Sequence, residues 1–375
     1  MKDNKRINAL LTGSFIIYIF GFLFLFIVIK DNDFSEIENR KLSSIPKFSF
    51  EDLLNRKFGD KFETYVADQF PFRNKFITIK SYSELIMQKK ENNGVYVAKD
   101  GNFIEKFEEP DIELMKKLSE YINDFSQKYN TYMMIAPTSI TINKDKLPSF
   151  VDGEIEERTI SEFIDMLDDK IINIPLVEAL KDKKDEYIYY KTDHHWTTLG
   201  AYYAYRELCN SMKIEPKELS DFNIEKVSDD FYGTLFSKGN FTFAQPDDIN
   251  LFYPKEEIKL KVEYVFNEKT TDSLYEFKYL DEKDKYGVFL DNNHPLIKIT
   301  TNSNSDRKIA ILKDSYSHSL IPFLVNHFSE IHILDLRHFK SSVNEYLVSN
   351  DLNDVIFLYN ARNIISDRNI MRLKM

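Results

Sequence analysis

The sequence contains a single cysteine and few glycines. Cys209 has no partner for a disulfide within the chain, so the fold must depend on packing alone. With 10 glycines in 375 residues, there is no glycine-rich phosphate loop, which argues against most nucleotide-dependent enzymes. Basic residues are in the minority, since Lys+Arg 50 against Asp+Glu 61 give a net charge of −11. Because nucleic-acid binding needs clustered basic side chains, nucleic acid is not an expected partner.

Charged residues are also absent from residues 7–29, INALLTGSFIIYIFGFLFLFIVI. About 20 apolar residues suffice to cross a bilayer as a helix. Lys2, Lys5 and Arg6 precede the stretch, and basic residues there favour a cytoplasmic amino terminus. The stretch ends without the small-residue cleavage site of a signal peptide. We therefore predict a cytoplasmic segment over residues 1–8, a transmembrane anchor over residues 9–30 and a membrane location with the rest of the chain outside.

The remaining sequence has enough apolar residues for a large core, since 43% of all residues are hydrophobic. Residues 31–50 resemble a linker, and residues 51–90 have a helical pattern broken at Phe70-Pro71-Phe72. Strand and helix patterns then alternate, which predicts an α/β domain with a parallel sheet over residues 91–375. Strands are expected near residues 132–137, 187–190, 308–312, 331–334 and 355–359. Residues 216–305 interrupt this alternation and are expected to form an irregular, strand-rich insertion.

Two short segments combine reactive side chains at the ends of predicted strands. They are KTDHHW, residues 191–196, and KDSYSH, residues 313–318. The carboxyl ends of parallel strands meet at one edge of the sheet, where ligands bind. A serine becomes nucleophilic beside a base that a third group orients, and Asp193, His195 and Ser315 could supply these roles. Ser315 is expected at a helix start, and backbone N–H groups there could also stabilise an oxyanion.

These segments, with ENRKLSSIP, DQFPFR and KDGNFIE, resemble the bacterial DHHW proteins, relatives of the SGNH-hydrolase-like proteins of alginate O-acetylation. The resemblance covers nearly the whole chain after the apolar stretch. It implies a catalytic triad of Asp193, His195 and Ser315, with the Asp-x-His motif ahead of the serine, an order permuted relative to ordinary SGNH esterases. It also implies a flavodoxin-like three-layer sheet, O-acetyl transfer to or removal from a cell-surface or secreted polysaccharide, and a membrane-bound O-acyltransferase as partner. No cofactor is implied.

Five further residues are candidates for contacts with substrate or oxyanion. Ordinary SGNH enzymes carry a glycine and an asparagine after the next two strands, but here the second strand runs into Asp-Leu-Arg-His without a glycine. Asn360 and Arg362 follow the third strand and could donate to an oxyanion. Arg337 and Arg362 could bind polymer carboxylates or phosphates, or form structural ion pairs. His194 competes with His195 as the base, and Tyr316 is either a site residue or part of the core.

Several neighbours have two interpretations. Trp196 could anchor the core or stack on a sugar, and Asp314 could cap the turn that follows it. His318 lies three residues after Ser315. On a helix it could face the same side and belong to the site, or it could be a helix-surface or capping side chain. The aromatic run at residues 231–236 could form a sugar-binding wall or a small β core.

Two other functions remain open. Asp193, His194, His195 and His318 could be metal ligands of a metal-dependent hydrolase, although no further ligand motif completes the set. The missing SGNH glycine also leaves room for a non-catalytic polysaccharide-binding partner of a membrane-bound O-acyltransferase.

Overall fold

The computed structural model describes residues 2–35 and 40–374, and these form two compact units. The N-terminal unit contains residues 1–89 and 240–242, and the sheet unit contains residues 90–239 and 243–375. Glu38 and Asn39 of the ENRKLSSIP segment lie outside the described residues. The domain limits expected from the sequence stay a prediction.

The N-terminal unit begins with one long apolar helix. Within it, Lys5–Val28 is long and apolar enough to cross a membrane, and an 18-residue stretch of it has a mean hydropathy of 2.4. Shorter helices follow, with a break at Phe70-Pro71-Phe72 as expected. The elements of this unit are α1 Lys2–Val28, β1 Phe34–Ser35, β2 Arg40–Lys41, α2 Phe50–Leu54, α3 Lys57–Asp68 and α4 Arg73–Ile86.

A buried carboxylate holds the linker of this unit in place. Asp68 accepts two hydrogen bonds from the Arg40 guanidinium, at 3.0 and 2.5 Å, and one from the Ser43 N–H at 2.8 Å. The Arg40 hydrogen bonds lower the pKa of Asp68 well below its usual range, against the opposing effect of burial. The segment after α1 is therefore fixed to the end of α3.

The sheet unit is built on an eight-stranded sheet in the order β11-β10-β12-β14-β13-β15-β6-β7. Strands β14, β13, β15, β6 and β7 are parallel, and β12, β10 and β11 are antiparallel. Its strands are β6 Asn130–Ala136, β7 Ile172–Asn173, β10 Leu260–Tyr264, β11 Lys269–Thr271, β12 Leu296–Thr301, β13 Lys308–Lys313, β14 Glu330–Leu334 and β15 Asp354–Asn360. The α/β class is confirmed, but the expectation of a parallel sheet is corrected to a mixed, mainly parallel one.

Helices cover both faces of this sheet. Side chains alternate between the faces, so Ile309 and Ile311 of β13 join one core and Ala310 and Leu312 the other. Such double burial explains why the parallel strands are mostly apolar in their central residues. The helices are α5 Ile112–Ser126, α6 Ser139–Ile142, α7 Ile155–Asp165, α8 Leu176–Lys181, α9 Thr198–Met212, α10 Thr234–Gly239, α11 Ile321–Leu324, α12 Val343–Ser349 and α13 Ala361–Ile364. Cys209 is buried on α9, and burial raises the pKa of its thiol to about 12.

One expectation about a strand needs correction. Residues 187–190 do not enter the sheet, because the Thr197 N–H donates to the Ile188 carbonyl and a single bridge joins Tyr189 to Trp196. The segment thus closes on itself as a loop. The bounds of the expected insertion, residues 216–305, stay a prediction, and within them β10, β11 and β12 extend the main sheet. Outside that sheet lie β3 Glu91–Asn92, β4 Val95–Val97, β5 Phe103–Glu105, β8 Phe222–Phe231 and β9 Asp247–Pro254.

Candidate active site

Ser315 lies on a short 3-10 turn at the carboxyl end of β13. Asp314 caps this turn, as expected, by accepting a hydrogen bond from the Tyr316 N–H at 2.9 Å. The other Asp314 oxygen accepts from the N–H and the side-chain amide of Asn360, at 2.8 and 2.9 Å, and from the Asn363 amide at 2.8 Å. The buried carboxylate therefore fixes the serine turn to the end of the neighbouring strand β15.

The Asp-x-His loop is held by a different buried carboxylate. Asp247 of β9 accepts from the N–H and hydroxyl of Thr192, at 2.7 and 2.6 Å, from the Lys191 N–H at 2.8 Å and from the Tyr187 hydroxyl at 2.5 Å. Four hydrogen bonds to one carboxylate fix the backbone immediately before Asp193. The sequence singled out neither Asp247 nor this role, because Asp247 is separated from the loop by more than 50 positions.

Asp193, His195 and Ser315 form one continuous line of hydrogen bonds. The Asp193 Oδ1 lies 2.5 Å from His195 Nδ1, and His195 Nε2 lies 2.8 Å from Ser315 Oγ. Asp193 and His195 are almost fully buried, whereas Ser315 is partly exposed. The structure thus brings together the three residues that the sequence proposed, at distances suitable for proton transfer.

The remaining Asp193 oxygen is bound by the start of α10. Its Oδ2 accepts from the N–H and the hydroxyl of Thr234, at 2.7 and 3.0 Å. Gly233 allows this approach, because a Cβ there would lie 2.2 Å from the Asp193 Cβ. The run at residues 231–236, expected to be a sugar-binding wall or a small β core, thus contacts the aspartate.

The surroundings of Asp193 and His195 determine which of the two side chains is charged. Burial alone would favour a neutral Asp193, but the charges of His194 and His195 and the hydrogen bonds hold its pKa far below the usual range. Burial and the neighbouring His194 lower the pKa of His195 to about 4, despite the opposing carboxylate. At neutral pH His195 is therefore an uncharged imidazole that can accept a proton through Nε2.

Two aromatic side chains hold His195 and the serine turn. The Tyr286 ring stacks on the His195 ring with centroids 3.9 Å apart and an angle of 7°, and its hydroxyl donates to the Ser315 carbonyl at 3.2 Å. Trp196 is fully buried, and its indole N–H lies within hydrogen-bonding distance of the Tyr316 carbonyl at 2.9 Å. Trp196 is therefore a core residue that links the two motifs. Tyr286 belongs to the expected insertion, where no sequence signal distinguished it from other aromatic residues.

A cleft of about 260 Å³ lies next to the triad. Among its lining residues are four of the five additional candidates, His194, Tyr316, Asn360 and Arg362. His194 is 29% exposed at its side chain, and its Nδ1 lies 2.6 Å from the Thr234 hydroxyl. This arrangement leaves His195, and not His194, in hydrogen-bonding contact with Ser315.

Most of these candidates already have protein partners. The Tyr316 hydroxyl donates to the His194 carbonyl. Arg362 pairs with Glu105 at 3.0 Å and donates to the Lys106 carbonyl. The candidates in the cleft are therefore positioned by the protein before any substrate binds.

The last candidate, Arg337, belongs to a buried charged group. Arg337 donates to both oxygens of Asp335, at 2.8 and 2.5 Å, and Asp335 also pairs with Lys313 at 3.2 Å. Lys313 Nζ lies 2.7 Å from Nε2 of His318, which is buried and not on a helix surface. Burial lowers the pKa of Lys313. Arg337 therefore forms a structural ion pair.

A metal site at this position would compete with the hydrogen bonds already made. Asp193, His194 and His195 have ligand atoms within 4.8 Å of one another. However, both Asp193 oxygens accept hydrogen bonds, and His195 contacts Asp193 and Ser315 through its two ring nitrogens. A metal ion would have to displace these partners, so the donor set fits a triad better than a metal centre.

Comparison with solved structures identifies proteins that share this fold. A DHHW family protein from Eubacterium siraeum is similar at 24% identity and a TM-score of 0.64, over 76% of this chain and 96% of that one. PatB1 of Bacillus cereus, with a sulfonyl adduct, is similar at 21% identity and a TM-score of 0.65, over 76% and 100%. The O-acetyltransferase domain of Pseudomonas putida AlgJ aligns at 14% identity over 75% and 98%, with a TM-score of only 0.47. At these identities the first two establish a shared fold and nothing more.

Sequence comparison identifies the family. No curated protein matches the chain. The family match runs over residues 113–334, which is more than half of the chain, and includes both the Asp-x-His loop and the serine turn. On this evidence the chain belongs to the DHHW protein family.

Proposed function

We propose that this protein is an O-acetyltransferase or acetylesterase that works through an acyl-enzyme on Ser315. The single observation that carries the proposal is the unbroken line of hydrogen bonds from Asp193 through His195 to the Ser315 hydroxyl. A serine hydroxyl is a weak nucleophile unless a base beside it takes its proton, and the base must be held in the right tautomer. Asp193, fixed on both oxygens, can hold the His195 proton on Nδ1.

The proposed reaction has two balanced steps. His195 accepts the Ser315 proton while Oγ attacks the acyl carbonyl, and the donor oxygen then leaves with that proton, which gives acyl-Ser315. In the second step His195 takes a proton from the acceptor hydroxyl, the acceptor oxygen attacks, and Ser315 recovers the proton as the ester forms. A sugar hydroxyl as acceptor gives transfer, and water gives hydrolysis.

The oxyanion of each step needs hydrogen-bond donors. The Tyr316 N–H already donates to Asp314 and is therefore not free to bind an oxyanion. Ser315 is the first residue of its turn, and the first N–H groups of a helical turn have no partner inside it. We assign the oxyanion to the Ser315 N–H, with the second amide hydrogen of Asn360 as a further donor from the cleft.

The substrate class is proposed from the family. An exported or cell-surface polysaccharide is the acceptor or the substrate, and a membrane-bound O-acyltransferase is the expected source of acetyl groups. The Asp-x-His motif precedes the serine in the chain. This order supports our proposal that the fold is that of the permuted SGNH-like proteins.

We also propose that α1 is an uncleaved anchor. Its apolar segment is long enough to span a bilayer, and basic residues precede it. The sheet unit then lies outside the cytoplasm, where polysaccharide substrates are found.

The decisive experiment compares four purified full-length proteins on a small aryl acetate. We expect Ser315→Ala to abolish hydrolysis and Asp193→Asn to reduce kcat by about 10⁴-fold, because the wrong His195 tautomer is then held. Ser349→Ala is the matched control, since the Ser349 hydroxyl lies on α12 and donates to the Glu345 carbonyl of the same helix. A phenylmethanesulfonyl fluoride adduct should map to Ser315 by mass spectrometry. Retained activity in Ser315→Ala, or an adduct elsewhere, would refute the acyl-enzyme.

Ser315→Ala also distinguishes the proposed enzyme from a non-catalytic polysaccharide-binding protein. If this protein only binds polysaccharide for a membrane-bound partner, a strain carrying Ser315→Ala should acetylate its polymer normally. We expect polymer acetylation to change instead. It should fall if a sugar hydroxyl is the acceptor and rise if water is.

A further inference from the structure

The N-terminal unit exposes a group of phenylalanine side chains. Phe48 is 67% exposed, Phe76 42%, Phe62 43% and Phe70 37%. Soluble proteins rarely leave several large apolar side chains together in water. This surface therefore requires an apolar partner.

These rings form two contacting groups, and the first reaches Phe26 of α1 through Tyr65, which contacts Phe62 at 6.1 Å and Phe26 at 5.7 Å. Phe48 contacts Phe58 with ring centroids 5.4 Å apart, and Phe58 contacts Phe62 at 6.0 Å. Phe70 contacts Phe76 at 5.9 Å. On α3, Phe58 and Phe62 are four residues apart and so share one face of the helix. We call Phe48, Phe58, Phe62, Phe70 and Phe76 the aromatic shelf.

The aromatic shelf is continuous with α1. Phe22 of α1 stacks on Phe70 at 5.4 Å and contacts Phe76 at 6.0 Å. Phe22 precedes Ile29, the last residue of the uncharged stretch, by about two helical turns, or roughly 10 Å along the axis. An α1 that spans the bilayer therefore brings Phe70 and Phe76 to roughly 10 Å below the outer end of its apolar segment.

We propose that the aromatic shelf inserts into the outer lipid interface beside the anchor. The depth set by the Phe22 contacts matches the roughly 5–10 Å at which amphipathic helices bury their apolar face. Aromatic side chains are also enriched at this level of membrane proteins. The polar residues Asp60, Glu63 and Thr64 of α3 are exposed and can remain in water. The inference rests on the proposal that α1 is an uncleaved anchor.

The test measures the depth of single residues in the full-length protein. In a Cys209→Ala background, one cysteine is introduced by Phe48→Cys, Phe76→Cys, Glu63→Cys or Ile16→Cys and labelled with the fluorophore NBD. Each protein is reconstituted into phosphatidylcholine–phosphatidylglycerol vesicles that contain lipids with a quencher at a shallow or a deep position. Circular dichroism melting confirms that each labelled protein is folded.

We expect shallow lipids to quench NBD strongly at positions 48 and 76 and weakly at the matched control position 63. Position 16 should be quenched by deep lipids, which tests the anchor separately. Quenching at 16 without quenching at 48 and 76 overturns the aromatic shelf and leaves the anchor standing. A blue-shifted but unquenched label at 48 and 76 also overturns it, because a protein partner would then cover the shelf. No quenching at 16 overturns the anchor.

Discussion

The ring of Tyr286 lies flat against the ring of His195, with centroids 3.9 Å apart and an interplanar angle of 7°. The stack closes one face of the imidazole, which is only 5% exposed at its side chain. It also connects the histidine to the serine turn, because the Tyr286 hydroxyl donates to the Ser315 carbonyl at 3.2 Å. Tyr286 is therefore a positioning residue that holds the proposed base in line with the proposed nucleophile.

Replacing this ring should impair the reaction without abolishing it. We expect Tyr286→Leu to lower kcat/KM for an aryl acetate by about 10- to 100-fold, because a loosened imidazole loses its alignment with Ser315. Tyr286→Phe keeps the stack and removes only the hydroxyl, so it should stay close to the original activity. Equal losses in both variants would show that the hydroxyl matters and the stacked ring does not. Steady-state kinetics with a melting curve for each variant decide the question.

Gly233 provides a second way to displace the triad without touching its members. A Cβ at this position would lie 2.2 Å from the Asp193 Cβ and 2.5 Å from its Oδ2. We expect Gly233→Ala to move the carboxylate, to lower activity by about 100-fold and to destabilise the fold by about 1–3 kcal/mol. Urea unfolding and aryl acetate kinetics measure the two effects.

The control for that change is Gly59→Ala. Gly59 lies inside α3, and a Cβ added to it would meet no neighbouring atom within 4 Å, so alanine should be tolerated there. Alanine also favours helix over glycine by up to about 1 kcal/mol. Unchanged activity in Gly233→Ala would mean that Asp193 tolerates displacement, contrary to its proposed role.

The sequence predicted those parts of the site that have local signals. Apolar runs predicted β6, β13, β14 and β15, and the reactive residues after β13 placed Ser315 at the edge of the sheet. The pairing of His195 with Ser315 followed from motif and resemblance, because nothing local links positions 120 residues apart. Asp314 as a cap could be recognised because the residues it caps follow it directly.

Other parts could not be predicted because they depend on long-range contacts. The segment at residues 187–190 has the composition of a strand, yet its backbone bonds to its own loop, and Ile188, Tyr189 and Tyr190 are buried in the core. Composition alone does not distinguish these two ways of burying a short aromatic run. Thr234, Asp247 and Tyr286 act on the triad from the expected insertion, where many similar residues have no contact with the site. Only the folded structure shows which of these residues contact the site.

Removing metal should leave the activity intact. The Asp193 and His195 atoms that could bind an ion are already engaged with each other, with Thr234 and with Ser315. We expect aryl acetate hydrolysis to survive prolonged dialysis against EDTA, and elemental analysis to find no stoichiometric zinc or manganese. Loss of activity that zinc or manganese restores would favour the metal-dependent hydrolase instead.

The pH dependence should reflect the lowered pKa of His195. Burial and His194 bring this pKa to about 4, so the imidazole stays neutral and able to act as base well below pH 6.5. We expect kcat/KM for an aryl acetate to be flat from neutral pH to about 5.5 and to fall through an apparent pKa of about 4. Short assays started from a neutral stock separate this titration from unfolding. A midpoint near 6.5 would mean that the imidazole is solvated or paired differently.

Stability should change over the same window, with a definite sign. In the unfolded chain His195 binds its proton near pH 6.5, whereas in the fold it does so only near pH 4. Between these values the unfolded state holds more protons, so stability falls as the pH drops from about 6.5 to about 4. His327, whose pKa burial also lowers to about 4, adds to this loss. His195→Asn should therefore make urea unfolding less dependent on pH in this range, and an unchanged dependence would contradict a lowered pKa at this residue.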